Sequence, residues 1–318
     1  MIACTEFHQP LATETHRNKD LHFLHSGTMN LKEYFERIGY KGPFNKPDLE
    51  TLSSIHRHHI LSIPFESLSI QCGETISMDL DIIYNKIVRS SRGGWCFENN
   101  LLFSWVLKEM GYRFTILGSR VYDNHTKVYG QHESHLVIQV VIDGMSYIAD
   151  VSYGFAEQIW EPLELISGKD QLQLPAVFRL VEDNGIWAVE KTGRKPHISN
   201  EQFANSPLVD KNIDRKMYCF TLTPRSVDHF VPRSQYLQTS PESLFTNKSI
   251  CSLQTPTGFR ALVGWTYSEV TFNYQDGVDL YQMSTISDEE VEKVLKEKLG
   301  IVLANKLKPT DNKGHYIV

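Results

Sequence analysis

The dipeptide Asp143-Gly144 sits between two β-rich runs, His135–Ile142 and Met145–Val151. Asp-Gly in that setting is a strong hairpin signal, because both central residues of a two-residue type I′ turn need positive φ. Such a turn sets Ile142 opposite Met145. It follows that Asp150 falls opposite Val137, and His135 opposite Ser152. Side chains alternate with period two, so His135 and Asp150 share a face as diagonal neighbours. Their Cβ atoms are then expected about 7–8 Å apart, within reach of an imidazole–carboxylate hydrogen bond. A three-residue turn would flip the parity and part them.

A second constraint lies upstream, in Arg92-Gly93-Gly94-Trp95-Cys96-Phe97-Glu98-Asn99-Asn100. Cys96 follows a flexible Gly-Gly turn and precedes an apolar segment, Leu101 to Met110. The pattern predicts a buried helix capped near Gly111. Cys96 would sit in its first turn, where unpaired N–H groups and the helix dipole favour a thiolate. The two glycines would let a substrate or cofactor approach closely. A structural buried cysteine is the plainer alternative for this residue taken alone.

With a net charge of −6, 41% hydrophobic and 22% charged residues, the composition is that of an ordinary globular chain and argues against a nucleic-acid binder. No apolar run approaches the roughly 20 residues of a membrane span, so no membrane partner is expected. The N-terminus has neither the basic nor the apolar region of a signal peptide. Five scattered cysteines (Cys4, Cys72, Cys96, Cys219, Cys251) form no CxxC pair, which argues against a disulfide framework or a zinc site. Free thiols in a reducing cytoplasm are the expectation, with no metal ligand.

The fold class expected is α+β in several domains. Residues 1–28 are polar, contain four histidines and read as a mobile extension. Residues 29–111 read as a helical bundle carrying Cys96. Leu31, Tyr34, Phe35 and Ile38 recur at helical spacing, a second helix follows Pro47-Asp48, and a third covers Asp79–Ser90. His56, His58 and His59 on the second helix are expected to be solvated or interfacial. Residues 112–220 read as a β-barrel carrying His135 and Asp150, with a long polar surface loop at 191–215. Residues 221–318 read as an α/β lid. There a capping box at Ser287–Glu290 opens the final helix, and a strand-like tail follows it.

The chain thus offers Cys96, His135 and Asp150, in the Cys…His…acid order also used by papain-like enzymes. A carboxylate on one imidazole nitrogen fixes the tautomer and stabilises the imidazolium, so the other nitrogen can take a proton from a thiol.

These residues resemble the signature of the arylamine N-acetyltransferases. It is carried by Arg92-Gly93-Gly94-x-Cys96-x-Glu98-x-Asn100, then His135-Leu136, then Asp150. The vertebrate cytosolic branch is matched further by Tyr34–Tyr40, Ile63-Pro64-Phe65-Glu66, Trp160–Asp170, Tyr236–Pro241 and Cys251–Pro256. The similarity covers about Met29 to Val318. It implies a helical bundle, a barrel and a lid, with 191–215 as an interdomain insertion.

The resemblance also implies a ping-pong reaction. Cys96 would take an acetyl group from acetyl-CoA, a co-substrate with no tightly bound cofactor beside it, and an arylamine or arylhydrazine would then remove it. O-acetylation of N-hydroxyarylamines would be a side activity. By positional matching, Phe65, Val121, Tyr153 and Phe155 would line the aryl pocket. Tyr153 and Phe155 stand where relatives commonly have small residues, so a narrower, more apolar pocket is expected. On the CoA side, Gln131-His132-Glu133-Ser134 replaces the usual Thr-Gly. Glu242 and His315 replace small hydroxyl residues, and Lys127 is a compensating cation. A monomer is expected. Two alternatives stay open from sequence. A thiol acyl transferase or hydrolase with another acyl donor would ignore acetyl-CoA. A silent homologue would bind aromatic amines without turnover.

Overall fold

Helices open the fold wherever apolar side chains recur at three- and four-residue spacing. The structure, a computed structural model, describes residues 28–312. Helix α1 (Leu31–Arg37) starts where the Asn30 side chain accepts from the Lys32 amide, and it buries Tyr34 and Phe35. Helix α2 (Leu49–Ser62) is capped by Asp48, whose Oδ1 accepts from the Thr51 amide at 2.9 Å. Pro64 then ends helical geometry, and the short strand β1 (Phe65–Glu66) follows. Next come α3 (Leu68–Gln71) and α4 (Leu80–Tyr84). The helix expected over Asp79–Ser90 changes pitch inside that span: Asn85–Arg89 continues as wider π-type turns. Helix α5 (Cys96–Glu109) is buried almost all round, as its unbroken apolar run requires.

The period then changes to two. Strands β2 (Arg113–Asp123), β3 (Val128–Tyr129), β4 (His135–Ile142), β5 (Met145–Ala149) and β6 (Leu163–Glu164) come first. They are followed by β7 (Asp170–Leu172), β8 (Val177–Asp183), β9 (Ile186–Thr192), β10 (Lys195–Ile198) and β11 (Asp214–Pro224). All but β10 join one curled antiparallel sheet in the order β6-β5-β4-β2-β11-β9-β8-β7, with β3 hung on β2; it forms a nearly closed barrel. Strand β4 is the shared wall. Leu136, Ile138 and Val140 pack into the core of the helices, whereas Val137 packs with Leu117, Ile148 and Phe178 inside the barrel. Both faces are covered, which is why this strand is apolar without alternation.

The C-terminal part begins with α6 (Val231–Thr239) and α7 (Leu244–Asn247). Strands β12 (Ile250–Thr255), β13 (Gly258–Val263), β14 (Thr266–Gln275) and β15 (Val278–Thr285) lead to α8 (Asp288–Leu299). In α8 the Glu290 carboxylate accepts from the Ser287 amide, and Val291, Leu295 and Leu299 are buried among neighbours that include Cys251 and Leu262 of the sheet. The sheet order is β1-β12-β13-β14-β15-β10. Its two edges therefore come from outside the C-terminal part.

One expectation is corrected here. The segment 191–215 is not a loop throughout. Its ends belong to β9 and β11, a 3-10 turn covers Glu201–Phe203, and β10 pairs in parallel with β15, Lys195 beside Val278 and Ile198 beside Tyr281. Lys195-Pro196-His197-Ile198 is too polar and too short to read as a strand by itself. Its ladder partner lies far along the chain, and proline is tolerated because the strand is an edge. The strand-like tail is corrected too. Within residues 300–312 there is only an isolated bridge from Asp311 to Lys248.

Candidate active site

Asp143 and Gly144 both have positive φ, 51° and 82°, and the β4–β5 ladder runs from Ile142↔Met145 to Ile138↔Ala149. This is the register of a two-residue turn. The ladder stops at Ala149, and Asp150 leaves the strand with its carboxylate turned to the imidazole. His135 Nε2 and Asp150 Oδ2 are 2.7 Å apart, both side chains buried. The second carboxylate oxygen, Oδ1, accepts from Asn100 Nδ2 at 3.0 Å and from the Ser152 amide at 3.1 Å.

Cys96 is the first residue of α5, so its amide has no intrahelical acceptor. Its Sγ lies 3.8 Å from the Ser134 carbonyl oxygen, and it lines the same cavity as His135. Burial works against a charged imidazole. The Asp150 charge and hydrogen bond outweigh it, Cys96 adds to them, and the pKa of His135 is raised to about 10. Burial likewise works against a charged Asp150, but the imidazole and the hydrogen bonds from Asn100 and Ser152 hold its pKa below the usual carboxylate value. The arrangement can accept a thiol proton on His135 and keep it there at neutral pH.

The start of α5 is fixed by close contacts. A Cβ on Gly93 would stand 2.2 Å from the Pro64 carbonyl oxygen, and one on Gly94 2.7 Å from the Glu98 Cβ. Glycine is therefore required here to admit β1 and Glu98, not the substrate or cofactor expected from sequence. The Glu66 amide donates to Gly94 O at 3.0 Å, and Glu98 Oε2 accepts from the Trp95 amide at 3.2 Å.

Two neighbouring amides tie α5 to the hairpin. Asn99 Nδ2 donates to Gly94 O at 2.8 Å and to Ser152 Oγ at 3.0 Å. Asn100 Nδ2 also donates to Leu136 O, and its Oδ1 accepts from the Val151 amide at 3.0 Å. Asn99 was not singled out from sequence, and Asn100 only through the family signature. Their signal was two adjacent amides on a helix that is otherwise apolar. His56 was missed as well. It and His59 are both buried, and of the two expected placements His56 takes the interfacial one, between α2 and the end of the hairpin. The Asp150 amide donates to His56 Nε2 at 3.3 Å while His56 Nδ1 meets Trp160 O at 3.0 Å, so the ring is held neutral in one tautomer. Burial depresses its pKa to about 4.

A cavity of about 640 Å³ opens beside Cys96 and His135. All four expected aryl-pocket residues, Phe65, Val121, Tyr153 and Phe155, line it. Tyr153 packs edge-on to the His135 ring at 5.2 Å, and its hydroxyl donates to Met217 O at 2.9 Å. The cavity is less apolar than expected, since Glu157 and Arg215 also line it as an ion pair. Helices α6 and α7 close another side with Tyr236, Leu237, Leu244 and Phe245. Of the residues expected on the CoA side, Glu242 lines the cavity, and Lys127, Gln131 and His132 do not. Lys127 sits in the β2–β3 turn at a φ of 60°. His315 lies outside the described residues, as do the histidines of the N-terminal extension. Glu133 is not a bare carboxylate. Arg225 grips it with two nitrogens at 2.7 and 2.8 Å, and His229 Nε2 meets it at 2.6 Å. The Arg225 hydrogen bonds hold its pKa below the usual carboxylate value.

Comparison with known proteins finds relatives along most of the chain. A family described as N-acetyltransferase matches residues 48–308. The pineal gland arylamine N-acetyltransferase isozyme 10 of Gallus gallus is 52% identical over 290 residues, 91% of this chain and 100% of that protein. Human arylamine N-acetyltransferase 1 is 49% identical over 281 residues, 88% of this chain and 97% of that protein. The Mycobacterium marinum arylamine N-acetyltransferase, solved in complex with CoA, shares the fold with a TM-score of 0.71 at 22% identity, over 86% of this chain and 93% of that one. With relatives about half identical along nearly their whole length, this chain belongs to the arylamine N-acetyltransferases, a family of acyltransferases.

Proposed function

We propose that the chain moves an acetyl group from acetyl-CoA to the nitrogen of an arylamine or arylhydrazine through an acetyl-Cys96 thioester. The observation that carries this reading is the Cys96–His135–Asp150 array in one cavity, with His135 bonded to Asp150 at 2.7 Å.

In the first step Cys96 Sγ attacks the thioester carbonyl, and its proton rests on His135. The oxyanion faces the free amide of Cys96 at the helix start. The old C–S bond then breaks, and His135 returns the proton to the departing CoA sulfur. In the second step the amine nitrogen attacks the acetyl carbonyl. The Cys96 C–S bond breaks, His135 takes the amine proton, and the resting pair is restored. An arylamine is a weak nucleophile, and a thioester is electrophilic enough for it. Phe65, Tyr153, Phe155 and Phe245 offer ring faces for the acceptor and limit water at the thioester. N-hydroxyarylamines would accept at oxygen by the same steps.

CoA enters as a co-substrate, as the CoA complex of the M. marinum relative supports. Among the described residues no helix is long and apolar enough to cross a membrane. The reading takes the enzyme as a cytoplasmic monomer. It takes residues 29–111, 112–220 and 221–318 as bundle, barrel and lid. Initial rates with acetyl-CoA and a small arylamine both varied test the two-step order. Parallel double-reciprocal lines are expected; intersecting lines would mean direct transfer without the acyl-enzyme.

A further inference from the structure

Two arginines line the cavity, and they differ in what they meet. Arg215 is paired with Glu157, and its Nε stands 3.0 Å from the Asp210 carboxylate, a charge contact outside hydrogen-bond geometry; what sets the two apart is the carboxylates around Arg215. Arg233 forms no ion pair with a carboxylate among the described residues. Its guanidinium carbon stands 4.6 Å from the Tyr236 ring centroid, and its Nε is buried with no hydrogen-bond partner. It is also the third residue of α6, whose first turn has no acidic residue. The helix dipole disfavours a cation at that end. A cation placed against the dipole, partly desolvated and with a donor unmatched, is unfavourable in the protein alone. An anion in the cavity would supply the counter-charge that Arg233 lacks, and a guanidinium can hold a phosphate through its terminal nitrogens.

Position decides which substrate brings that anion. Phe155 marks the buried end of the cavity, 8% exposed, whereas Tyr236, in contact with Arg233, is 44% exposed and marks the rim. An acyl donor with its thioester at Cys96 and its phosphates far along a chain must leave over the rim. An arylamine engaged by Phe65 and Tyr153 need not reach it. Three carboxylates line the cavity, and none forms an ion pair with Arg233 among the described residues, Glu242 included. Asp123 accepts from the His125 and Thr126 amides, and Glu157 is held by Arg215 and Lys191.

We infer that Arg233 is the anion anchor of the cavity and grips a phosphate of the acyl donor where it passes α6. The inference rests on the acetyl-CoA-dependent reading of the site. Arg233→Met keeps an unbranched stem over Tyr236 without the charge, and Arg233→Lys keeps the charge without the fork. The probes are acetyl-CoA and p-nitrophenyl acetate, an acetyl donor without phosphate. In Arg233→Met the ratio of kcat/KM for acetyl-CoA to that for p-nitrophenyl acetate should fall about tenfold or more, as loss of a charged hydrogen bond predicts. The loss should lie in KM, and Arg233→Lys should recover part of it. An unaltered ratio would overturn the inference, and so would an equal loss with both donors, which would mean damaged packing. A KM rise confined to carboxylated arylamines would assign the anchor to the acceptor and overturn it as well. A parent enzyme acetylated by p-nitrophenyl acetate but not by acetyl-CoA would sink the underlying reading and the anchor together.

Discussion

Beneath the Arg92–Trp95 turn, Lys86 and Arg92 face Glu66 and Glu98; across α5, His135 faces Asp150 while its other nitrogen is left to Cys96. Both clusters are buried and charged, and they are wired differently. Lys86 Nζ lies 2.9 Å from Glu98 Oε1 and 3.7 Å from Glu66, and Arg92 reaches Glu66 at 2.9 Å. Two cations close on two buried carboxylates, with the more exposed Glu74 3.6 Å from Arg92, and Glu98 keeps one further bond, to the Trp95 amide, that starts α5. The second cluster is left open at one point. Asp150 is fully occupied by His135, Asn100 and Ser152, so the one exchangeable position is the imidazole nitrogen toward Cys96. The closed cluster can only hold the cysteine's helix in place. The open one can move a proton.

Substitutions in each cluster should separate these roles. Asp150→Asn should have the larger effect on catalysis. It removes the charge that keeps His135 protonated, and kcat should drop about 10³- to 10⁴-fold, as in other triads that lose the acid. The same variant has a pH signature. An unfolded histidine titrates near 6.5, and His135 in the fold near 10. The pair therefore contributes its full stability below about pH 6.5 and loses it as pH climbs through about 10. On the acid side, the depressed Asp150 keeps that contribution until pH falls below the usual carboxylate range. Urea unfolding across this range should show the alkaline loss in the parent and not in Asp150→Asn. Equal alkaline slopes would remove the His135–Asp150 charge pair from the account.

Lys86→Met should do the opposite. It leaves Glu98 and Glu66 with too little positive charge in a buried place, and stability should fall by about 3–5 kcal/mol in urea unfolding. Catalysis per folded molecule should fall far less than in Asp150→Asn. A variant as stable as the parent but catalytically dead would mean that the two clusters do not divide the work as described.

What could be read from the sequence follows the same division. The hairpin was legible because a two-residue turn and a period of two fix which side chains share a face, with no information from elsewhere in the chain. The start of α5 was legible from Gly-Gly followed by an apolar run. The parts that were not legible are those set by distant partners. His56 supports the Asp150 amide from 94 residues away. Arg225 neutralises Glu133 from 92 residues away. Strand β10 is defined only by its pairing with β15. Likewise, the glycines before Cys96 were rightly marked as sites of close approach, but only the packed structure shows that Pro64 and Glu98 are what approach them.

The most direct test is the intact mass of the protein after incubation with acetyl-CoA alone, beside Cys96→Ala. The open cluster predicts one added acetyl group on the parent and none on the variant. Two results would contradict the account: no adduct on a parent whose Cys96 still alkylates readily, or an adduct that persists in Cys96→Ala.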